Sequence, residues 1–252
     1  MADRVRQGIF KKELRHTAML AQRNNTEFMQ LAYAAAHDLQ EPLRTQASYF
    51  DLTKEALDAG NYKDVFNFLR RTENAAERMS SLVTDLLGYS QLGASTKREI
   101  IDLSKIVEDI CEELKPRLTE TQAQLTIDEL PVIVGDESKM QQLVKNLLTN
   151  AIKYVDSGTV PTISIFTRQA GSFWTLNVAD NGIGIDPAYH SRIFDMFKRL
   201  HGKNDYDGTG IGLAICAKVA ESMGAEIGVD SDVGRGSTFW VRFHNSNVVE
   251  QL

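Results

Sequence analysis

Apolar residues recur at intervals of seven in the first third of the chain, and this spacing limits the possible folds more than any other feature. The two interleaved rows are Val65, Thr72, Met79, Leu86 and Phe68, Ala75, Leu82, Tyr89. Heptad spacing places an apolar side chain on the same face of a helix every two turns. The pattern therefore predicts a helix from about Tyr62 to Gln91 with an apolar seam along its length.

A weaker seam with the same spacing lies upstream. Leu14, Ala21, Phe28 and Ala35 recur every seven residues, and the seam is continued at helical spacing by Leu39, Leu43, Ala47 and Phe50. Residues 58–61, with the sequence Asp-Ala-Gly-Asn, have turn chemistry and join the two predicted helices into a hairpin. A hairpin cannot bury such a seam alone, so we expect a homodimer in which two hairpins form a four-helix bundle. The alternative is packing on the rest of the same chain, but the length of the seam favours the dimer.

Near residue 95 the sequence changes from heptad spacing to a mixture of strands and helices. Residues 93–97 are typical of a short linker, and Asp102 is a suitable N-cap for a helix from about Leu103. Strands are predicted near 125–127, 132–134, 163–165, 174–178, 225–230 and 237–244, and helices at 137–154 and 211–223. Because strands and helices do not alternate regularly, we predict an α+β fold with a helical hairpin domain at 1–93 and a second domain at 100–252.

Charge and cysteine usage exclude several classes of protein. The chain has 28 basic and 34 acidic residues, a net charge of −6, which argues against non-specific nucleic-acid binding. Its apolar runs are shorter than the ~20 residues that span a bilayer. Cys111 and Cys216 lie in apolar helical patterns, which fits free thiols in a reducing compartment. We therefore expect a cytoplasmic protein.

Two polar clusters in the second domain are candidates for ligand binding. Asn146 and Asn150 lie four residues apart on the predicted helix, and Lys153 extends the same side, where amide oxygens suit a metal and amine donors suit phosphate. A solvated polar face explains that cluster equally well. Asp180 and the glycines Gly182 and Gly184 follow a predicted strand, where a carboxylate can accept from an exocyclic amine and a flat ring can approach the backbone. Taken alone, an ordinary tight turn is the simpler explanation of this second cluster.

Two further clusters have the chemistry of anion binding. Residues 208–213, Gly-Thr-Gly-Ile-Gly-Leu, lead into a predicted helix whose first amides can cradle a phosphate. Their spacing excludes both the dinucleotide-binding fingerprint and the Walker P-loop. Phe194 and Phe197 precede the cations Lys198, Arg199 and Lys203, and the stretch up to Gly208 has the composition of a lid. Taken alone, an ordinary exposed loop is the simpler explanation of this cluster.

Together, in this order and spacing, the clusters resemble the N box, first glycine box, F box and second glycine box of the gyrase-type and histidine-kinase ATP-binding fold, the GHKL superfamily. The resemblance covers residues 100–245 and implies an α/β sandwich that binds ATP. It implies that Asn150 ligates Mg²⁺, that Asp180 recognises the adenine amine and that a lid runs from Phe197 to Gly208. Met196 departs from the proline that many members have between the two phenylalanines. The implied ATP-binding set is Asn146, Asn150, Lys153, Tyr154, Asp180, Gly182, Gly184, Phe197, Lys198, Arg199, Gly208, Thr209, Gly210, Gly212 and Leu213.

The segment 36–44, Ala-His-Asp-Leu-Gln-Glu-Pro-Leu-Arg, resembles the H box of sensor histidine kinases in the form found in phytochrome-related kinases. On a helix, His37 and Arg44 share one face while Leu39 and Leu43 lie on another, which exposes the imidazole. A histidine with a pKa near ~6.5 is neutral enough at cytoplasmic pH to act as a nucleophile. The resemblance implies that Asp38 assists it as a catalytic carboxylate.

The two resemblances together imply a two-component sensor histidine kinase. ATP would phosphorylate His37, and the phosphoryl group would pass to an aspartate in the receiver domain of a response regulator. An upstream sensor domain or protein would supply the signal. Two alternatives remain: an ATP-driven conformational machine of the gyrase or chaperone type, and a non-catalytic dimeric scaffold. The first predicts ATP hydrolysis that survives loss of His37, and the second predicts no nucleotide binding.

Overall fold

The computed structural model describes residues 39–40, 42–91, 97–198 and 209–245. The chain divides near residue 86 into two compact units, Met1–Leu86 and Leu87–Leu252, and each is described by itself. Five of the predicted site residues, His37, Asp38, Arg199, Lys203 and Gly208, lie outside the described residues, as does the upstream seam before Leu39.

The first unit is built on a helical hairpin. Its helices are α1 (residues 42–58, with 39–40 also helical) and α2 (Tyr62–Gln91), so the predicted bounds of the second helix are confirmed. Gly60, at a φ of +70°, makes the turn possible, and its amide donates to Leu57 O at 3.0 Å. Across the hairpin, Gln46 Nε2 donates to Thr72 O at 3.2 Å. The turn predicted at 58–61 is therefore present.

The second unit mixes helices and strands. In chain order its elements are β1 (Glu99–Asp102), α3 (Leu103–Glu120), β2 (Gln124–Ile127), β3 (Val132–Gly135), α4 (Glu137–Lys153), β4 (Thr162–Ala170), β5 (Phe173–Asp180), a 3₁₀ turn (Pro187–Tyr189), α5 (Gly212–Ser222), β6 (Glu226–Ser231) and β7 (Ser237–His244). Every strand and helix that the sequence predicted in this unit is present, and the largest difference is at β4, which was predicted near 163–165 and extends over Thr162–Ala170. Two elements were not predicted, namely β1 and the 3₁₀ turn.

A mixed five-stranded sheet, in the order β2-β4-β5-β7-β6, forms one layer of this unit. Strand β2 runs parallel to β4, and the other pairs are antiparallel. Helices α4 and α5 pack on the sheet and on each other, and α3 packs beside α4. The core side chains alternate along the strands and follow helical spacing, for example Ile163, Ile165, Leu176, Val178, Val241, Leu143 and Leu147. The α+β fold is confirmed, and β1 pairs with β3 as a separate two-stranded sheet.

Aspartate side chains set the starts of two helices. Asp102 Oδ1 accepts from Ser104 N at 2.9 Å and from Lys105 N at 3.3 Å, which confirms the predicted N-cap of α3. Asp136 caps α4 in the same way, and Tyr154, predicted as its last residue, is instead its C-cap. Within the part of the chain described here, none of the helices combines the length and apolar character needed to cross a bilayer.

Candidate nucleotide-binding site

One side of α4 carries the predicted polar residues. Asn146, Asn150 and Lys153 are half-buried along that side, whereas the opposite side is fully buried in the core. Asn146 Nδ2 donates to Gly212 O at 3.3 Å. The first polar cluster and the second glycine segment, 66 residues apart in sequence, therefore lie side by side.

Asp180 ends β5 with its carboxylate held by two backbone amides. Its Oδ1 accepts from Gly182 N at 2.8 Å and from Ser237 N at 3.1 Å. Burial raises the pKa of Asp180 to about 6, and these two hydrogen bonds limit the rise by stabilising the charged form. Among the residues that the structure describes, both bonds go to Oδ1, so Oδ2 can accept from a further donor.

The glycines after Asp180 lie where a side chain cannot fit. A Cβ on Gly182 would lie 2.2 Å from Tyr154 O, and one on Gly184, at a φ of +70°, would lie 1.9 Å from Asp232 O. Ile183 N also donates to Tyr154 O at 3.0 Å. The segment 181–185, called here the Asp180 loop, is thus fixed against the C-terminal end of α4.

The second glycine segment leads into α5. No side chain among the described residues caps this helix, whose N-cap is Ile211, so the amides at its start are suited to an anion. Thr209 Oγ1 accepts from Ile211 N at 3.3 Å. Phe197 N donates to Gly210 O at 2.9 Å, which brings the F-box residues to the glycine segment. The exposed Lys198 follows directly.

Comparisons with known proteins agree with this geometry. Residues 135–247 match the family described as histidine kinase-, DNA gyrase B-, and HSP90-like ATPase, and this range contains every candidate nucleotide-binding residue described above. Over 90% of its length the chain is 37% identical to cyanobacterial phytochrome A of Nostoc sp. (strain PCC 7120), and over 81% it is 33% identical to the sensor histidine kinase AruS of Pseudomonas aeruginosa. The chain has a sensor histidine kinase catalytic core.

This kinase core is shorter than its relatives. It spans 30% of the length of the phytochrome and 21% of AruS. In fold it is similar to the histidine kinase ThkA, crystallised in complex with the response regulator protein TrrA, with a TM-score of 0.65, 17% identity, and coverage of 83% of this chain and 59% of that one.

The donor set of the kinase core suits Mg²⁺ bound together with phosphates. Among the described residues there is no group of three or more His, Cys, Asp or Glu side chains that could form a metal cage. Mg²⁺ commonly takes only one or two protein ligands and completes its shell with phosphate oxygens and water. The half-buried side-chain amide of Asn150 has an oxygen that could serve as one such ligand.

Sequence reasoning missed one part of the site, the turn at 232–236 between β6 and β7. Ser237 N binds Asp180, and Gly234 N donates to Ile183 O at 2.7 Å, so this turn touches the Asp180 loop directly. The available signal was the segment Gly-Arg-Gly-Ser at 234–237, a second glycine-rich turn between the last two strands. Its position beside Asp180 depends on the pairing of β5 with β7.

Proposed function

We propose that this protein is a sensor histidine kinase that transfers the γ-phosphoryl group of ATP to His37 and then to an aspartate of a response regulator. The observation that carries the proposal is the assembly of α4, the Asp180 loop and the second glycine segment around one site. It is supported by the resemblance of residues 36–44 to the phosphoacceptor segment of phytochrome-related kinases.

Adenine would bind at the Asp180 loop. Asp180 Oδ2 would accept from the exocyclic amine. Gly182 and Gly184 would act indirectly, because the lack of a Cβ lets the loop pack against Tyr154 O and Asp232 O and so holds the carboxylate in place. Tyr154 is the C-cap at the adjoining end of α4, and its ring would contact the nucleotide. Lys153 Nζ donates to Tyr154 Oη at 2.8 Å, which ties these two side chains together.

The phosphates would lie between α4 and the start of α5. Amides of Gly210, Gly212 and Leu213 would donate to them, with Thr209 and Gly208 completing the segment. Asn146 and Lys153 would approach from α4, and Asn150 would hold Mg²⁺. The metal would neutralise charge on the phosphates. Phe197 and the cations Lys198 and Arg199 would belong to a lid over the terminal phosphate.

His37 would attack the γ-phosphorus in line, forming an N–P bond as the bond to the bridging oxygen of ADP breaks. Asp38 would orient the imidazole and stabilise the positive charge that develops on it. Both residues lie outside the described part of the chain, so their roles rest on the sequence resemblance. A response regulator as the next acceptor is supported by the complex formed by ThkA, whose fold is similar.

We further propose that the kinase is a homodimer through the hairpin. Leu43, Phe50 and Leu57, spaced by seven residues on α1, are 53%, 50% and 55% exposed within one chain. Beside this row lies a groove of about 790 Å³ between α1 and α2, lined mainly by apolar surface that includes Phe50 and Phe66. A second hairpin would bury both, giving the four-helix bundle. The greater length of the relatives fits an additional sensor region or a sensor partner.

The deciding experiment is incubation with Mg²⁺ and γ-labelled ATP, with His37→Gln as the control. We expect acid-labile, alkali-stable label on the unmodified protein and none on the variant. ATP hydrolysis that persists in His37→Gln without labelled protein would instead indicate an ATPase of the gyrase or chaperone type. Absence of nucleotide binding would indicate a scaffold.

A further inference from the structure

The hydroxyl of Ser231, the last residue of β6, joins three separate groups. It accepts from Ile185 N at 2.8 Å and donates to Gly236 O at 2.8 Å, and it lies 2.9 Å from Ser237 Oγ. A hydroxyl has one hydrogen and two acceptor positions. Since its hydrogen goes to Gly236, Ser237 is the donor in the third contact, and the Ser231 hydroxyl is fully used.

All three partners surround Asp180. Ile185 ends the Asp180 loop, and Ser237 N donates to Asp180 Oδ1 at 3.1 Å. A Cβ on Gly236 would lie 2.0 Å from Asp180 O, so the turn contacts the end of β5 without space between them. The Ser231 side chain therefore fastens the Asp180 loop to the turn that holds the Asp180 carboxylate.

We propose that Ser231 is a positioning residue for nucleotide binding, acting through the Asp180 loop without touching the nucleotide. This inference rests on the proposed role of Asp180 in adenine recognition. Removing the hydroxyl leaves Ile185 N and Gly236 O without their hydrogen-bond partner. Because unpaired polar groups are costly when they are part-buried, the loop should loosen so that both groups can bind water instead. The loop would then hold the Asp180 carboxylate less firmly, which weakens nucleotide binding rather than the chemical step.

The test compares Ser231→Thr with Ser231→Val. Threonine and valine have nearly the same shape and strand preference, but threonine has a hydroxyl where valine has a methyl group. Thr121→Ala, which removes an exposed hydroxyl bonded to Arg117 O at the end of α3, is the control for hydroxyl loss elsewhere in the domain. Amide hydrogen exchange of residues 181–185 is measured without nucleotide, and ADP affinity by calorimetry. Autophosphorylation kinetics then separate KM from kcat.

We expect Ser231→Val to exchange faster in the Asp180 loop and to bind ADP about fivefold to twentyfold more weakly, with KM for ATP raised and kcat within about twofold. Ser231→Thr and Thr121→Ala should match the unmodified protein within about twofold. The proposal is overturned if the valine and threonine variants exchange and bind alike, or if kcat falls while KM stays constant. A wild-type protein that binds no ADP would contradict the proposed function. The difference in hydrogen exchange between the two variants, measured without nucleotide, would still show whether the Ser231 hydroxyl stabilises the Asp180 loop.

Discussion

At the scale of single residues, Asp180 carries opposed demands of stability and binding. Its pKa is raised to about 6 from an ordinary value of 3.8, chiefly by burial. Between these two values the folded protein binds more protons than the unfolded chain, so the contribution of Asp180 to stability falls as the pH rises from about 4 to 6. At neutral pH the buried charge on Asp180 therefore makes the folded protein less stable than a neutral side chain would. A destabilising ionisable group of this kind is typical of a binding site.

Asp180→Asn should separate these two demands. The asparagine Oδ1 can still accept from Gly182 N and Ser237 N, but its NH₂ group would face the adenine amine with donors. We expect ADP affinity to fall at least about tenfold while the fold is kept. Calorimetric titration measures the loss, with Asp109→Asn, an exposed position on α3, as the matched control. Unchanged ADP binding by Asp180→Asn would contradict the assignment of Asp180 to adenine.

The same variant gives a prediction about pH that needs no ligand. Near pH 4 the carboxyl is protonated in the folded protein and about half protonated in the unfolded chain, so the two proteins should differ little in their free energies of unfolding. As the pH rises through 4 to 6, Asp180→Asn should become the more stable, with a difference that levels off above pH 6 at up to about 2 kcal/mol. Urea unfolding from pH 4 to 8 measures this difference. A stability advantage that is largest at pH 4 would refute the raised pKa.

At the scale of elements, Asp136 holds the start of α4, the helix that carries the asparagines. Its Oδ1 accepts from Ser138 Oγ at 2.8 Å and Lys139 N at 3.3 Å, and its Oδ2 accepts from Lys97 N at 3.1 Å. Burial by itself would raise the pKa of Asp136, but the hydrogen bonds outweigh it and leave the pKa below its usual value. The stabilisation is therefore present above the ordinary carboxyl pKa and is lost as the pH falls.

Asp136→Ala should destabilise the second unit by about 1–3 kcal/mol, because it removes a helix cap and leaves buried donors without an acceptor. Asp102→Ala is the comparison, since Asp102 caps α3 from an exposed position and its loss should cost about 1 kcal/mol or less. Denaturant unfolding at pH 7 compares the two variants. Equal losses would show that the link from Asp136 to Lys97 adds nothing to stability.

What the sequence could predict at this scale depended on how local each signal was. The bounds of α2 followed from a heptad pattern, and the start of α3 followed from the cap at Asp102. Strand β1 was missed because Glu99–Asp102 has only one buried side chain, Ile101, and forms only through pairing with β3. In the same way, Asp180 was predicted from its own loop, but its bond to Ser237, 57 residues away, exists only because β5 pairs with β7.

At the scale of the whole molecule, the hairpin buries only part of its apolar surface within one chain. Val65, Ala75 and Leu82 of α2 are buried, whereas Leu43, Phe50 and Leu57 of α1 remain about half exposed. An exposed row with heptad spacing is typical of a helix that packs against a further helix. In the proposed dimer the second hairpin supplies this further helix. Dimer formation should therefore depend on the face of α1 that includes Phe50.

Phe50→Glu should therefore convert the dimer into monomers. A charge at the centre of the exposed row would be buried in the bundle without a partner, while in the monomer it would remain in water, so the hairpin itself should still fold. Ser48→Glu adds the same charge on the opposite, exposed face of α1 and should stay dimeric. Light scattering after size-exclusion chromatography measures the mass of each variant. As a control, calorimetry should give the same ADP affinity for both variants, because the candidate nucleotide site lies in the second unit. Two results would rule out this interface. One is a wild-type protein that is monomeric at about 50 μM, since a stable bundle should be dimeric at that concentration. The other is a Phe50→Glu variant that keeps the dimer mass, since an unpaired charge buried in the bundle should separate the two hairpins.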